Sequence, residues 1–238
     1  DLNAGNNKTV TISGITINGA AAANYSLANV APGGSLTTTA SINQRAVGIT
    51  GLSAADRQYD GTTAVAISGS SMQIAGLIAG DNVGISGGIG SVTGSFADAN
   101  VGTNKAVTLS GISLSGGDAD NYTLTGVQGV TASITPKVLS LSGSRTYDQS
   151  TTVDSTVLSN AGTVNGVTVG GVTETLTLSG TGSIANKNVG GGKALNASGL
   201  TLSDGSGTAS NYTLAGGTHT VTVNPASVSL SGSRYYDG

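Results

Sequence analysis

Apolar and polar residues alternate along most of this chain, and the alternation returns in the same form at regular intervals. Val10, Ile12, Ile15 and Ile17 mark one segment, Val107, Leu109, Ile112 and Leu114 a second, and Leu195, Ala197, Leu200 and Leu202 a third. A period of two sends successive side chains to opposite faces of a pleated strand, so each segment predicts a half-buried β-strand. In every copy the phase slips by one residue at a glycine: Gly14, Gly111 or Gly199. An uncorrected slip would turn the second half of the strand inside out, so a β-bulge is expected at each of the three.

Shorter strands follow. Asn24-Tyr25-Ser26-Leu27, Asn121-Tyr122-Thr123-Leu124 and Asn211-Tyr212-Thr213-Leu214 each put Tyr and Leu on one face. Ala40-Ser41-Ile42, Ala132-Ser133-Ile134 and Val221-Thr222-Val223 close each copy. Two of these exits run into Pro136 and Pro225, which cannot donate to a ladder and hold the preceding residue extended, as a short joint would. Asn/Gly clusters before the long strands (Asp1–Lys8, Asp98–Lys105 and, more loosely, Asn186–Lys193) read as tight loops. No stretch has helical periodicity long enough for a helix, although Ala75–Asp81 has room for one short helical turn.

A longer period organises all of this. Arg57-Gln58-Tyr59-Asp60-Gly61 returns as Arg145-Thr146-Tyr147-Asp148-Gln149 and as Arg234-Tyr235-Tyr236-Asp237-Gly238, with the tyrosines 88 and 89 residues apart. Such a period fixes the architecture ahead of any local assignment. It divides the chain into the back half of one repeat (1–44), two full repeats (45–135 and 136–224) and the start of a further one (225–238). The first residue falls inside a repeat, so the chain is read as a segment of a larger protein. The expected fold is all-β: tandem β-sandwich-like domains, Ig-like in general architecture, end to end in an extended rod. A β-grasp-like unit is the alternative if Leu77–Ile78 proves helical. A solenoid with one rung per repeat is disfavoured, because the period is several times a typical rung.

Composition narrows the chemistry. Only 9% of the 238 residues are charged, against 37% hydrophobic, which argues for a folded chain rather than a disordered one. A net charge of -3 offers no basic footprint for nucleic acid. Without cysteine there is neither disulfide nor thiol chemistry, which fits a protein that leaves the cell. No apolar run is long enough to insert this segment into a membrane as a helix.

The Tyr-Asp-Gly-Thr-Thr turn at 59–63, the Asn-Val-Gly-x-x-Lys loop at 100–105 and the Asn-Tyr-Thr-Leu strand at 121–124 together resemble the YDG-type repeat. That module occurs in very large bacterial surface proteins, including filamentous-haemagglutinin-like adhesins, and the resemblance covers nearly the whole chain. It implies an exported, repetitive, non-catalytic β-domain at the bacterial cell surface, serving attachment or biofilm matrix. Its partners would be neighbouring repeats of the same protein, or host and matrix glycans or proteins if the repeats bind ligands directly. The second copy departs from the pattern with Gln149 in place of glycine, so its turn is expected to differ slightly.

Candidate chemistry is sparse. A Ser-His-Asp site would have to use His219, the single histidine, which has no counterpart in the other copies; no catalytic or cofactor-binding residue is therefore assigned. Calcium has one candidate locus, Asp118, Asp120 and Asn121, but the matching first-copy loop is nearly all alanine, so no metal site is assigned. Asn24, Asn121 and Asn211 sit in N-x-Ser/Thr sequons and are read as turn formers before glycan carriers. Lys8, Lys105 and Lys193 with those asparagines would suit an isopeptide crosslink, though exposed lysines are the simpler expectation. The residues expected to matter are therefore structural: Arg57, Tyr59, Asp60 and Gly61; Arg145, Tyr147 and Asp148; Arg234, Tyr236 and Asp237; the three phase-slip glycines; and Asn121, Tyr122, Asn211 and Tyr212. In each turn the aspartate is expected to bond backbone amides and the tyrosine to pack its ring.

Overall fold

A computed structural model describes residues 1–28, 30 and 34–238, and among them every regular element longer than four residues is a β-strand. The protein is all-β. Alternating Val, Ile, Leu and Thr supply branched side chains that pack on a pleated surface, and frequent glycines break the strands. The Leu77–Ile78 segment is not helical; it forms a turn closed by the Asp81 N–H on the Ile78 carbonyl at 3.2 Å.

The chain packs as two compact units that interleave the sequence periods. The first comprises Asp1–Ala54, Val65–Gly94 and Thr108–Val130; the second comprises Ala55–Ala64, Ser95–Val107 and Thr131–Gly238. In the first, Arg45–Thr50 lies between Tyr122–Val127, parallel to it, and Gln73–Ala75, antiparallel to it. Val47 and Ile49 on that central strand are buried. Gly5–Ile12 and Leu36–Ile42 form a separate antiparallel pair with no buried face.

In the second unit one strand order appears twice. Arg57–Gln58 runs parallel to the end of Val130–Thr135, whose other neighbour is Gly102–Ser110. Likewise Ser142–Thr146 runs parallel to Thr220–Asn224, whose other neighbour is Gly190–Asn196. Beyond Gly190–Asn196 lies the thirteen-residue strand Val172–Ile184, which also forms a hairpin with Thr163–Val169. Its two-residue loop is Gly170-Gly171, both at positive φ, the geometry that suits the twist of a tight hairpin. Val153, Leu158, Leu176, Val221 and Val223 form the centre of this unit's core.

The phase slip is resolved differently from copy to copy. At Gly111 the strand simply ends, and Leu114–Ser115 resumes on a different partner, Gly84–Ile85. At Gly199 the chain stays on one partner: Leu195 and Asn196 face Ile184 and Ser183 of Val172–Ile184, and Leu200 faces Gly180 of the same strand, so four residue steps oppose three and the expected bulge is present. At Gly14 the chain leaves the Gly5–Ile12 strand. Changing partner at Gly111 lets each half keep its own apolar face inward, while at Gly199 the one-residue offset does the same. At Gly111 and Gly199 an added Cβ would collide with the Ser91 and Thr181 carbonyls.

Further register shifts occur within Gly-x-x-Lys, between Gly5 and Lys8 and between Gly190 and Lys193. The third residue of each such segment, Asn7, Asn104 or Gly192, is left-handed at φ 53°, 50° and 59°. The first half of each Asn/Gly cluster, residues 1–4, 98–101 and 186–189, is thus the loop expected before the strand, while its Gly-x-x-Lys half already lies within the strand.

Gln149 keeps the turn it was expected to alter, with φ 64° where Gly61 has 76°. A side chain in that region carries a steric cost of about 1–2 kcal/mol, partly offset by the lower unfolded-state entropy relative to glycine. Replacing Gln149 by glycine is expected to raise unfolding stability by about 0.5–1 kcal/mol in a denaturant titration; a loss of stability would contradict this reading of the turn.

Candidate functional site

Each Arg-x-Tyr-Asp turn is built the same way. Asp60 Oδ1 accepts from the Thr62 N–H and the Thr62 hydroxyl, both at 2.8 Å, while Arg57 pairs with the same carboxylate and with the Thr62 carbonyl. In the next copy Asp148 accepts from the Ser150 N–H at 2.9 Å, and Arg145 pairs with it at 2.8 Å. The exposed third copy retains the Arg234–Asp237 pair at 2.9 Å. Partial burial by itself would raise the Asp60 carboxyl, but the Thr62 bonds and Arg57 outweigh it and hold the group below the usual carboxylate range. Arg57 also covers the single phenylalanine, Phe96, its guanidinium carbon 5.7 Å from the ring centroid.

The turn aims its tyrosine. The Tyr59 N–H donates to the Thr135 carbonyl at 2.8 Å, as Tyr147 does to Asn224 at 2.8 Å, continuing the parallel ladder by one bond. Tyr59 is then buried against Tyr212, edge to face with ring centroids 5.3 Å apart. Both hydroxyls donate to one carboxylate: Tyr59 to Glu174 Oε1 at 2.8 Å and Tyr212 to Glu174 Oε2 at 2.5 Å. The Tyr212 hydroxyl also accepts from the Val167 N–H at 3.0 Å. Gly61 lies against Val167 and Val169, where a Cβ would collide. Thus the turn of one sequence period packs on residues of the next, all within the second unit.

A second bond joins the same periods. Asn211, 1% exposed, accepts from the Val101 N–H at 2.9 Å and donates to Asn100 Oδ1 at 3.0 Å. The first unit repeats both devices with different residues. There Asn121 accepts from the Ala4 N–H at 2.7 Å and donates to Asn3 Oδ1 at 3.2 Å. Tyr122 is buried, donates to Asp81 at 2.5 Å and accepts from the Ile78 N–H at 3.1 Å.

The remaining candidates are occupied by local structure. Lys105 is 16% exposed at its side chain, not solvated as expected, because its ammonium donates to Asp98 at 2.6 Å and to the Asn100 carbonyl at 2.8 Å. Lys193 donates to Asn186 at 2.7 Å and Lys8 pairs with Asp1, so all three clamp the loop seven residues upstream. His219 accepts at Nδ1 from the Leu141 N–H at 3.2 Å and donates at Nε2 to the Leu214 carbonyl at 2.8 Å, which leaves neither nitrogen to activate a nucleophile. Asp118 accepts from the Asn82 N–H at 2.8 Å, and among the described residues no three His, Cys, Asp or Glu side chains converge on a metal-sized site. No helix among them is long and apolar enough to cross a membrane.

What the arrangement can do, then, is bind β-structure to β-structure: it marks a repeat protein whose recurrent side chains fasten one sequence period to the next. The chain belongs to the YDG domain family, which it matches over residues 1–32, 43–133 and 130–221. No curated protein and no solved structure matches it.

Sequence reasoning reached Tyr59, Asn121, Tyr122, Asn211 and Tyr212 but missed Glu174 and Asp81, the carboxylates that receive their hydroxyls. These differ in residue type and in distance along the chain from the tyrosines they serve, so the repeat gave no signal for them.

Burial, then the bond to Glu174, push the Tyr59 phenol up to about 12, and the same causes raise Tyr212. The fold thus favours the protonated phenol, and this contribution to stability is complete below about pH 10 and is lost as the pH rises through the folded value. In a phenolate-absorbance titration, Tyr59 and Tyr212 are expected to ionise only as the fold fails at high pH, and Tyr122, raised by its bond to Asp81, to ionise later than a free phenol. Seven tyrosines titrating together near pH 10 would contradict the buried cluster.

Proposed function

We propose that this chain is a non-catalytic structural segment of an exported bacterial adhesin, a run of tandem β-sandwich-like repeats that serves cell-surface attachment or biofilm matrix by separating a binding region from its anchor. The observation that carries the reading is the use made of the recurrent polar residues. Tyr59, Asn211 and Tyr212 are buried in bonds between successive sequence periods, and His219 is held on both nitrogens by backbone. Residues repeated for ligand recognition would instead present free polar groups. Repeats that touch chiefly their neighbours lengthen a protein without adding chemistry. The bacterial, exported and adhesive parts of the proposal come from the resemblance to YDG-type repeats of large surface proteins.

One observation favours direct ligand binding as the second reading. The second unit carries an open cleft of about 690 Å³, lined by Leu200, Leu202, Tyr212, Leu214 and His219 among others. That volume would admit a sugar or a short peptide.

Two measurements separate these readings. The purified chain is expected to give no saturable binding on glycan and peptide arrays, while antibody against it labels intact cells of the producing organism. Saturable binding abolished by Leu202→Asp, a half-buried cleft position, would favour the second reading; absence of label on intact cells would overturn the first.

A further inference from the structure

The first strands of each complete sequence period lie beside its last strands and run parallel to them. In the period 136–224, Ser142–Thr146 pairs with Thr220–Asn224 over five consecutive residues. That ladder is closed at both ends: the Thr220 N–H donates to the Leu141 carbonyl at 2.9 Å, and the Tyr147 N–H to the Asn224 carbonyl at 2.8 Å. Just upstream, Lys137–Val138 runs parallel to Tyr212–Thr213. The period 45–135 is built alike. Arg45–Thr50 pairs with Tyr122–Val127 in the first unit, and Arg57–Gln58 with Ile134–Thr135 in the second.

Parallel pairing determines how such a ladder meets tension. A pull on the chain enters at the N-terminal end of Ser142–Thr146 and leaves at the C-terminal end of Thr220–Asn224. In a parallel pair these lie at opposite ends of the ladder, so the strands are drawn past each other and the slanted, evenly spaced bonds are strained together. Were the first and last strands antiparallel, both pulls would act at one end and the bonds would open one at a time. The bonds are also shielded from water. Val221 and Val223 on the exit strand are 0% and 1% exposed, Leu141 is 1% exposed, and Gly190–Asn196 holds the exit strand on its other side. Arg145 secures the turn that follows the entry strand, pairing with Asp148 and donating to the Thr152 carbonyl at 2.7 Å. Successive ladders follow without slack: Thr135 ends one strand, Pro136 alone intervenes, and Lys137 begins the next. Proline fixes its own φ and holds the preceding residue extended, so the joint transmits the load.

We propose that each complete period is a load-bearing clamp, in which tension along the chain is carried in shear by the parallel ladders between its entry and exit strands. Forced unfolding is governed by the unfolding barrier rather than by equilibrium stability. Shear loading therefore lets a small aliphatic core withstand a pull out of proportion to its thermodynamic stability. The clamp is a property of the fold alone; that the load arises at a cell surface rests on the role proposed above.

The test pulls on the whole 238-residue chain, which has no cysteine, so that two introduced ones define where the force acts. Lys137→Cys with Ala226→Cys puts the handles at opposite ends of the Ser142–Thr146 ladder and loads it in shear. Thr151→Cys with Ala226→Cys puts them at the same end and peels the ladder open from Tyr147. All three sites lie outside the paired residues of that ladder. In single-molecule force spectroscopy at one pulling speed, the first pair is expected to unfold at a severalfold higher force than the second. Urea applies no direction, and equilibrium unfolding in it is expected to rank the two chains alike. Equal forces, a higher force on peeling, or a difference that merely follows the urea midpoints would overturn the proposal. None of these outcomes depends on whether antibody labels intact cells.

Discussion

One carboxylate holds the second unit's repeated elements in place. Glu174 sits half-buried on a strand and takes a phenol hydroxyl on each oxygen, from Tyr59 and from Tyr212. A carboxylate withdrawn from water must be hydrogen-bonded, and bonds to a charged acceptor are each worth roughly 1.5–3 kcal/mol. The two tyrosines come from successive sequence periods, so satisfying the charge also fixes the turn of one against the strand of the next. Asn211 adds a second fastening, with Asn100 and Val101 as its partners.

The composition explains why such polar fastenings matter. With one phenylalanine and no tryptophan, the core is aliphatic and strands are short, so little apolar area is available at any one junction. Seven tyrosines are the largest side chains at hand in quantity, and the buried ones need partners for their hydroxyls. Glycines take the complementary part. At Gly61 a Cβ would strike the neighbouring valines, and the same absence of a side chain admits the left-handed turn that aims Tyr59.

Much of this was legible in the sequence, because a repeat displays its own constraints. Period-two alternation identified the strands, and the recurrence of Arg-x-Tyr-Asp and Asn-Tyr identified Tyr59, Asn121, Tyr122, Asn211 and Tyr212, which are buried or paired, although Tyr147 is only half-buried. Where the reading failed, the cause was long-range pairing. The slip at Gly199 is the bulge it suggested, but at Gly111 it signalled a change of partner, and a strand's partner is not written in its own phase. The Val-Gly-Gly-Val hairpin at 169–172 carried a local signal in its glycine pair and went unread. Glu174 and Asp81 carried none, since the non-repeated middle of each period supplies a carboxylate at a position of its own.

The central claim is that Tyr59 and Glu174 act on each other across the sequence period. A double-mutant cycle with Tyr59→Phe and Glu174→Gln, read by equilibrium unfolding, measures that coupling directly. The expected result is an interaction energy of about 1 kcal/mol or more. Additivity within about 0.3 kcal/mol would mean that the two side chains are neighbours without consequence, and the account would be wrong.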